Sequence, residues 1–282
     1  MIKNNDIYTP ALLKKVQNVE LSILKDFIRV ANKYELNWFI AFGSAIGAVR
    51  HKGFIPWDDD IDIEMLREDY NKFVDVFQRE LGDKYNLVNP STDKDFSASV
   101  THMELKGTKF ISHDAIDMKH KNGIYLDIFV LDKLAKNKVS RFYQYKKCYL
   151  LGRLIFLWAN DKPHIPYKGI KKKVVLRICK MIHDFLVLTN LTNVKLYEKL
   201  QKTAQKYNNT DSNLYSALED YLMKQNTISK NDIFPLRKVP YEDIVVNLMN
   251  NYDKNLTNIY GDYMKIPPKE KQINHRPTII EF

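Results

Sequence analysis

The sequence predicts an α+β protein: a mixed sheet flanked by helices, carrying a basic helical insertion. Three observations lead there. Apolar residues over 10–34 recur at helical spacing and then give way to short apolar runs of strand length. The run Asp60-Ile61-Asp62-Ile63-Glu64-Met65 alternates polar and apolar strictly, the two-residue period of a strand. After Asp132, long helical periods take over in a stretch rich in Lys and Arg. Strands and helices mixed in this way exclude an all-helical architecture.

Each element follows in order. Leu12, Leu13, Val16, Val19, Ile23, Leu24, Phe27 and Ile28 make one face of a helix over 10–34, and Pro10 suits its first turn. The aromatic and apolar run 38–42 reads as a buried strand, broken by Gly43-Ser44. Ser44 is expected to cap a short helix that runs through Arg50. A loop with Pro56-Trp57 leads into the strand at 60–65. Residues 67–77 are helical, with Tyr70, Phe73, Val74 and Phe77 on one face. Strands are expected at 85–88, 97–105 and 124–130, with a turn at Lys106-Gly107-Thr108. Helices are expected over 141–158, 170–188 and 194–207. In the second of these, Ile170, Val174, Val175, Ile178, Ile182 and Phe185 form an apolar stripe, with Lys171, Lys172, Lys173, Arg177 and Lys180 largely off it. Residues 233–236 and 244–246 read as strand, turn and strand. A last helix over 250–260 stops at Gly261.

The chain has 282 residues and 45% apolar content, ample for a core. Cys148 and Cys179 make no disulfide framework, which suggests a reducing compartment. The N-terminal MIKNNDIYTP has no apolar signal core, and no run of about 18 apolar residues could span a membrane. The expected location is cytoplasmic, with peripheral contact at the inner membrane face. The net charge is +10, yet residues 133–180 hold fourteen Lys and Arg against one acid, Asp161. The rest of the chain is therefore slightly acidic, and the basic stretch implies an anionic partner. A basic face opposite an apolar one suits an interfacial helix, so an anionic membrane or a lipid-carried glycan is expected there. No nucleic-acid-binding motif accompanies it, and nucleic acid is not expected as a partner.

The acids carry the chemistry. On a strand, Asp60 and Asp62 share a face, and Asp58 joins them if the strand reaches it. Carboxylates this close repel unless a cation sits among them. A further acid, Asp127, stands alone in the apolar run Tyr125-Leu126-Asp127-Ile128-Phe129, where it needs a cation or a partner. Asp60, Asp62 and Asp127 are the expected metal ligands for Mg²⁺, with Mn²⁺ as a substitute. Asp58 and Asp59 either orient a metal-bound water or cap the loop. Gly43 and Ser44, sixteen residues ahead of Asp60, suit a phosphate cradle at a helix N-terminus.

The stretch resembles the nucleotidyltransferase-fold signature: an apolar residue and Gly-Ser, then two acids alternating with apolar residues. More narrowly, GAVRHKGFIPWDDDIDI (47–63) resembles the LicD family of phosphocholine transferases, which includes the fukutin-related phosphosugar transferases. GIYLDIFVLD (123–132), DIFPLRKVPYED (232–243) and YGDYMKIPPKEKQINH (260–275) fit the same family. The likeness spans 14–132 and 232–275; the basic middle has little to match. It implies a nucleotidyltransferase-like catalytic core over 1–132, the helical insertion over 133–231 and a segment completing the core over 232–282.

The resemblance also implies a reaction. A CDP-linked donor, typically CDP-choline, gives its choline phosphate to a hydroxyl of a cell-surface glycan precursor such as teichoic acid or lipopolysaccharide, and CMP leaves. Asp60 and Asp62 match the metal-binding positions and Asp127 the third acid, as ligand or as acceptor of the hydroxyl proton. Arg50 and Lys52, and less strongly His51, would neutralise phosphate oxygens. Trp57 would line the donor site, since aromatic faces hold quaternary ammonium groups. His275, at a family-like position, would reach the site from the C-terminal segment. His102 reads as an ordinary strand residue. Two alternatives stay open: a nucleotidyltransferase moving a nucleoside monophosphate, and a non-catalytic, membrane-associated cation-binding protein.

Overall fold

The computed structural model describes residues 9–112, 115–163, 165–275 and 277–282; residues 1–8, most of the stretch read for a signal core, lie outside it. Helix α1 (Pro10–Lys33) starts at Thr9, whose Oγ1 accepts the Leu12 N–H at 3.2 Å, with Pro10 in its first turn. The chain then enters β1 (Trp38–Ile40), turns into α2 (Phe42–His51), and returns as β2 (Asp62–Leu66). Helix α3 (Arg67–Leu81) follows, then β3 (Tyr85–Val88), β4 (Thr101–Leu105), β5 (Lys109–Ser112) and β6 (Tyr125–Lys133).

The main sheet has the order β1-β2-β6-β4-β3. β2 and β6 run parallel at its centre, with Asp62 opposite Asp127, and the other pairs are antiparallel. Alternation along the two central strands separates two faces. Ile63 and Met65, with Leu126, Ile128 and Val130, pack into the core beneath α1 and α3. Asp62, Asp127 and Phe129 point the other way. The architecture is thus α+β with a mixed sheet.

The basic stretch folds as α4 (Lys138–Ala159), α5 (Gly169–Leu188) and α6 (Asn193–Ala204). It is not helical throughout: β7 (Leu214–Ala217) returns to pair with the C-terminal half of β6, and β8 (Ile228–Ser229) pairs with β7. Leu151, Ile155, Leu186, Leu196, Tyr197 and Leu200 form a separate small core among these helices. α5 departs from a simple amphipathic helix. Leu186 is buried and Ile182 packs on the helical core, whereas Ile170, Val174, Ile178, Met181, Phe185 and Leu188 form an exposed stripe, from 51% exposure at Ile178 to 85% at Leu188.

Residues 233–236 do not form a strand. Ser229 caps a one-turn helix, α7 (Lys230–Ile233), by accepting the Asp232 N–H at 3.2 Å. The hairpin comes after it, as β9 (Arg237–Tyr241) and β10 (Ile244–Leu248). Helix α8 (Tyr252–Tyr260) ends at Gly261, whose φ is +71°. The last strand, β11 (Pro277–Glu281), pairs with β5. Strand β4 begins at Thr101, later than expected, because the chain through 97–100 does not pair. Among the described residues, no helix is long and apolar enough to cross a membrane.

Candidate active site

Parallel pairing of β2 and β6 sets Asp62 beside Asp127, and Asp60 precedes β2 on the same side. One carboxylate oxygen from each of the three lies within 4.8 Å of the others. The loop before β2 is held from two sides. Gln17 of α1 donates to the Asp58 carbonyl at 2.8 Å, and Ser44 Oγ accepts the Asp62 N–H at 2.9 Å.

This crowding is costly without a cation. Burial, then Asp60, Asp127 and Asp58, raise Asp62 well above the usual carboxylate range. Asp58 is pushed up to about 9 by burial and by Asp60 beside it. Glu20, buried on α1, is raised by burial and then by Asp60, Asp59, Asp58 and Asp127. Asp59 Oδ2 and Glu20 Oε2 are buried without a hydrogen-bond partner. Three carboxylates, Asp60, Asp62 and Asp127, with an oxygen of each within 4.8 Å of the others, are the donor set a hard divalent cation takes. The residues therefore fit Mg²⁺, with Mn²⁺ as an equally oxygen-bound substitute.

Asp59 turns away from the triad towards His275. Its Oδ1 accepts the His275 backbone N–H at 3.0 Å and lies 2.9 Å from Nδ1, while His275 Nε2 is 3.7 Å from Asp60 Oδ2. Desolvation opposes a charge on this ring, but Asp59 and Asp60 outweigh it and raise His275 to about 10. The C-terminal segment thus brings a cation to the edge of the acids.

Ser44 is not the cap of α2. The helix begins at Phe42, which has a left-handed φ of +46°, and Ala41 stands at the cap without a side-chain bond. The sharp turn at Phe42 starts the helix early and leaves Ser44 inside its first turn, free to hold β2. Gly43 is needed for close approach: a Cβ there would sit 3.0 Å from Asp58 Oδ2. Arg50, His51, Lys52 and Trp57 gather at the other end of α2. Arg50 donates to the Tyr263 carbonyl and to His51 Nε2. Lys52 takes the left-handed C-cap position, and Trp57 packs partly buried against the core. Arg50 and His51 both lie against the Trp57 ring, at 6.0 and 6.4 Å from its centroid.

His102, expected to be an ordinary strand residue, instead stands behind Asp127 as its partner. His102 of β4 has Nε2 3.0 Å from Asp127 Oδ1 and stacks on Tyr125 at 4.0 Å. Beyond it, His120 Nε2 lies 3.0 Å from Glu104 Oε1 and His120 Nδ1 2.8 Å from Asp93 Oδ2. Burial by itself would lower His102, but Asp127 and Glu104 raise it to about 9. The only sequence signal is that His102 and Glu104 share one face of a strand. Their meeting with Asp127 depends on β4–β6 register, where His102 lies opposite Asp127. Asp220, after β7, was equally invisible; Asp127 contributes to raising it to about 6, after burial.

The family model for the LicD/FKTN/FKRP nucleotidyltransferase domain matches residues 35–151. The chain is 30% identical over 272 residues to the lipopolysaccharide cholinephosphotransferase LicD of Haemophilus influenzae, covering 93% of this chain and 95% of that protein. A shorter match, 39% identical over 54 residues, is to an uncharacterized protein of Rickettsia typhi and covers 19% of this chain and 18% of that protein.

Proposed function

This chain belongs to the LicD family and is a phosphotransferase, and on that premise we propose that it moves phosphocholine from a CDP-linked donor to a hydroxyl of a cell-surface glycan precursor, such as lipopolysaccharide or teichoic acid. The observation that carries this reading is the convergence of Asp60, Asp62 and Asp127 at paired parallel strands. Asp60, Asp62 and Asp127 would hold Mg²⁺, which when bound neutralises the donor diphosphate and stabilises the leaving CMP. The first turn of α2, opened by Gly43, offers backbone N–H groups to phosphate oxygens. His275, kept protonated by Asp59 and Asp60, adds positive charge beside Asp60. The acceptor oxygen bonds to the phosphorus that carries choline, the anhydride bond to CMP breaks, and Asp127 takes the hydroxyl proton. Little covalent help is required, since phosphoryl transfer depends chiefly on positioning and charge neutralisation.

The test uses CDP-choline labelled in choline or in cytidine, with Mg²⁺ and a lipopolysaccharide acceptor. Choline label in the glycan and cytidine label in free CMP are expected. Cytidine label in the acceptor would assign a nucleotidyl transfer instead.

The exposed apolar stripe of α5, flanked by Lys171, Lys172, Lys173 and Arg177, supports a second part of this reading: the helical region rests on an anionic membrane surface where a lipid-carried acceptor is presented.

A further inference from the structure

The site face of β6 continues past the acids. Phe129 lies two residues beyond Asp127 and so on the same side of the sheet. There β6, α4, the chain at 97–100 and the segment after β7 line an open cleft of about 300 Å³. Phe129, Tyr149, Phe156 and Tyr221 contribute aromatic walls, and Asp220 and Arg153 are among its charged groups. Ligand pockets span about 300–1,000 Å³, so this one suits a compact head group and not a whole nucleotide.

The lining has the chemistry of a site for an organic cation. Aromatic faces attract a quaternary ammonium through the ring quadrupole. Asp220 is 8% exposed, and its Oδ2 accepts the Leu222 N–H at 3.1 Å, which fixes the carboxylate at the wall. Arg153 is already placed over the Tyr149 ring, 5.0 Å from its centroid. Glu219 Oε1 accepts the Val130 N–H at 2.8 Å, and burial pushes the acid up to about 8, so it is largely neutral near pH 7. Asp220 is left as the free negative charge of the cleft. Its neighbourhood reaches the metal acids: Asp220 and Asp62 both help raise Tyr221, after burial.

We propose that this cleft is the head-group subsite of the donor, in which Tyr221 and Phe129 face a quaternary ammonium and Asp220 supplies its counter-charge. This rests on the phosphocholine reading above and adds where selectivity for choline arises. A neutral polyol head group gains nothing from the rings or from Asp220. The diphosphate of the same donor then lies over the acids of β2 and β6, one strand step away.

Steady-state kinetics with CDP-choline test the assignment in the full chain with Mg²⁺ and acceptor. Tyr221 is 71% exposed, so Tyr221→Ala leaves the fold intact. Tyr221→Ala and Asp220→Asn should each raise KM for CDP-choline about tenfold, the order a cation–aromatic contact contributes. Inhibition by CMP, which lacks the head group, should change less than about twofold. Tyr221→Phe should restore most of the KM. Unchanged KM in both variants, with active wild type, overturns the head-group assignment alone. A wild type that releases no CMP from CDP-choline overturns the donor reading, and this subsite with it.

Discussion

Asp60 and Asp62 differ from an acidic surface turn in what surrounds them: buried carboxylates, orphaned oxygens and a third acid across the strand pair. Asp60→Asn and Asp62→Asn should each lower transfer by several orders of magnitude while keeping the fold, because the change is isosteric. Near-normal turnover at saturating Mg²⁺ in either variant would remove that residue from the metal site. Behind Asp127, the His102–Glu104–His120 group makes a separate prediction. Burial alone would raise Glu104, but His102 and His120 hold it at about 2. A depressed acid contributes stability above its unfolded value, about 4.3, and loses it as pH falls towards 2. His102, raised to about 9, contributes fully below about 6.5 and loses it as pH climbs through 9. Glu104→Gln should therefore cost about 3–5 kcal/mol near pH 6, the usual loss when a buried partner is removed. Thermal melts from pH 6 to 2 should show its gap from wild type closing; a constant gap means that Glu104 is not ionised in the fold.

At the scale of elements, α5 is where the apolar period and the packing part company. Its periodicity was legible in the sequence, but periodicity does not tell what covers a stripe, and here no described residue covers Ile170, Met181 or Leu188. Changing Lys171, Lys172, Lys173 and Arg177 together to Gln should weaken binding to anionic vesicles, since each charge near such a surface contributes about 1 kcal/mol. Binding of the variant should also respond less to salt. Sedimentation with vesicles at two salt concentrations reads both effects, and wild-type protein that ignores anionic vesicles at low salt would refute the membrane contact. Other elements were legible for local reasons. Pro10 and the helical apolar period announce α1, and the Asp/Ile alternation announces β2. Those that escaped depend on distant partners: β5 on β11, and β7 on β6. The same holds at the site. Asp60, Asp62 and Asp127 carry their own local pattern, whereas Glu20, His102 and Asp220 acquire meaning only once α1, β4 and the chain after β7 pack around the acids. The early start of α2 escaped because nothing in the sequence marks the left-handed turn at Phe42.

Over the whole molecule, charge is sorted into a cationic helical region and a core that concentrates carboxylates at one point. That concentration makes stability depend on the cation. In metal-free protein, Asp58 at about 9 and the raised Asp60, Asp62 and Glu20 keep protons that the unfolded chain releases above about pH 4. The folded state then binds more protons than the unfolded one, so stability falls as pH rises. The melting temperature in EDTA should drop between pH 5 and pH 8. A cation that binds only the folded state adds about 2.7 kcal/mol at a hundred times its Kd. Mg²⁺ should therefore raise the melting temperature by several degrees, and by more at pH 8, where fewer protons compete with it for the carboxylates, than at pH 5. Asp62→Asn removes one of the raised acids along with one ligand. It should melt higher than wild type in EDTA at pH 8, yet gain less from Mg²⁺, so the two melting curves should approach or cross as the cation is added. A Mg²⁺ response that is the same in both proteins would place the cation away from Asp62, and no response in wild type at either pH would mean that the acids hold protons instead of a metal.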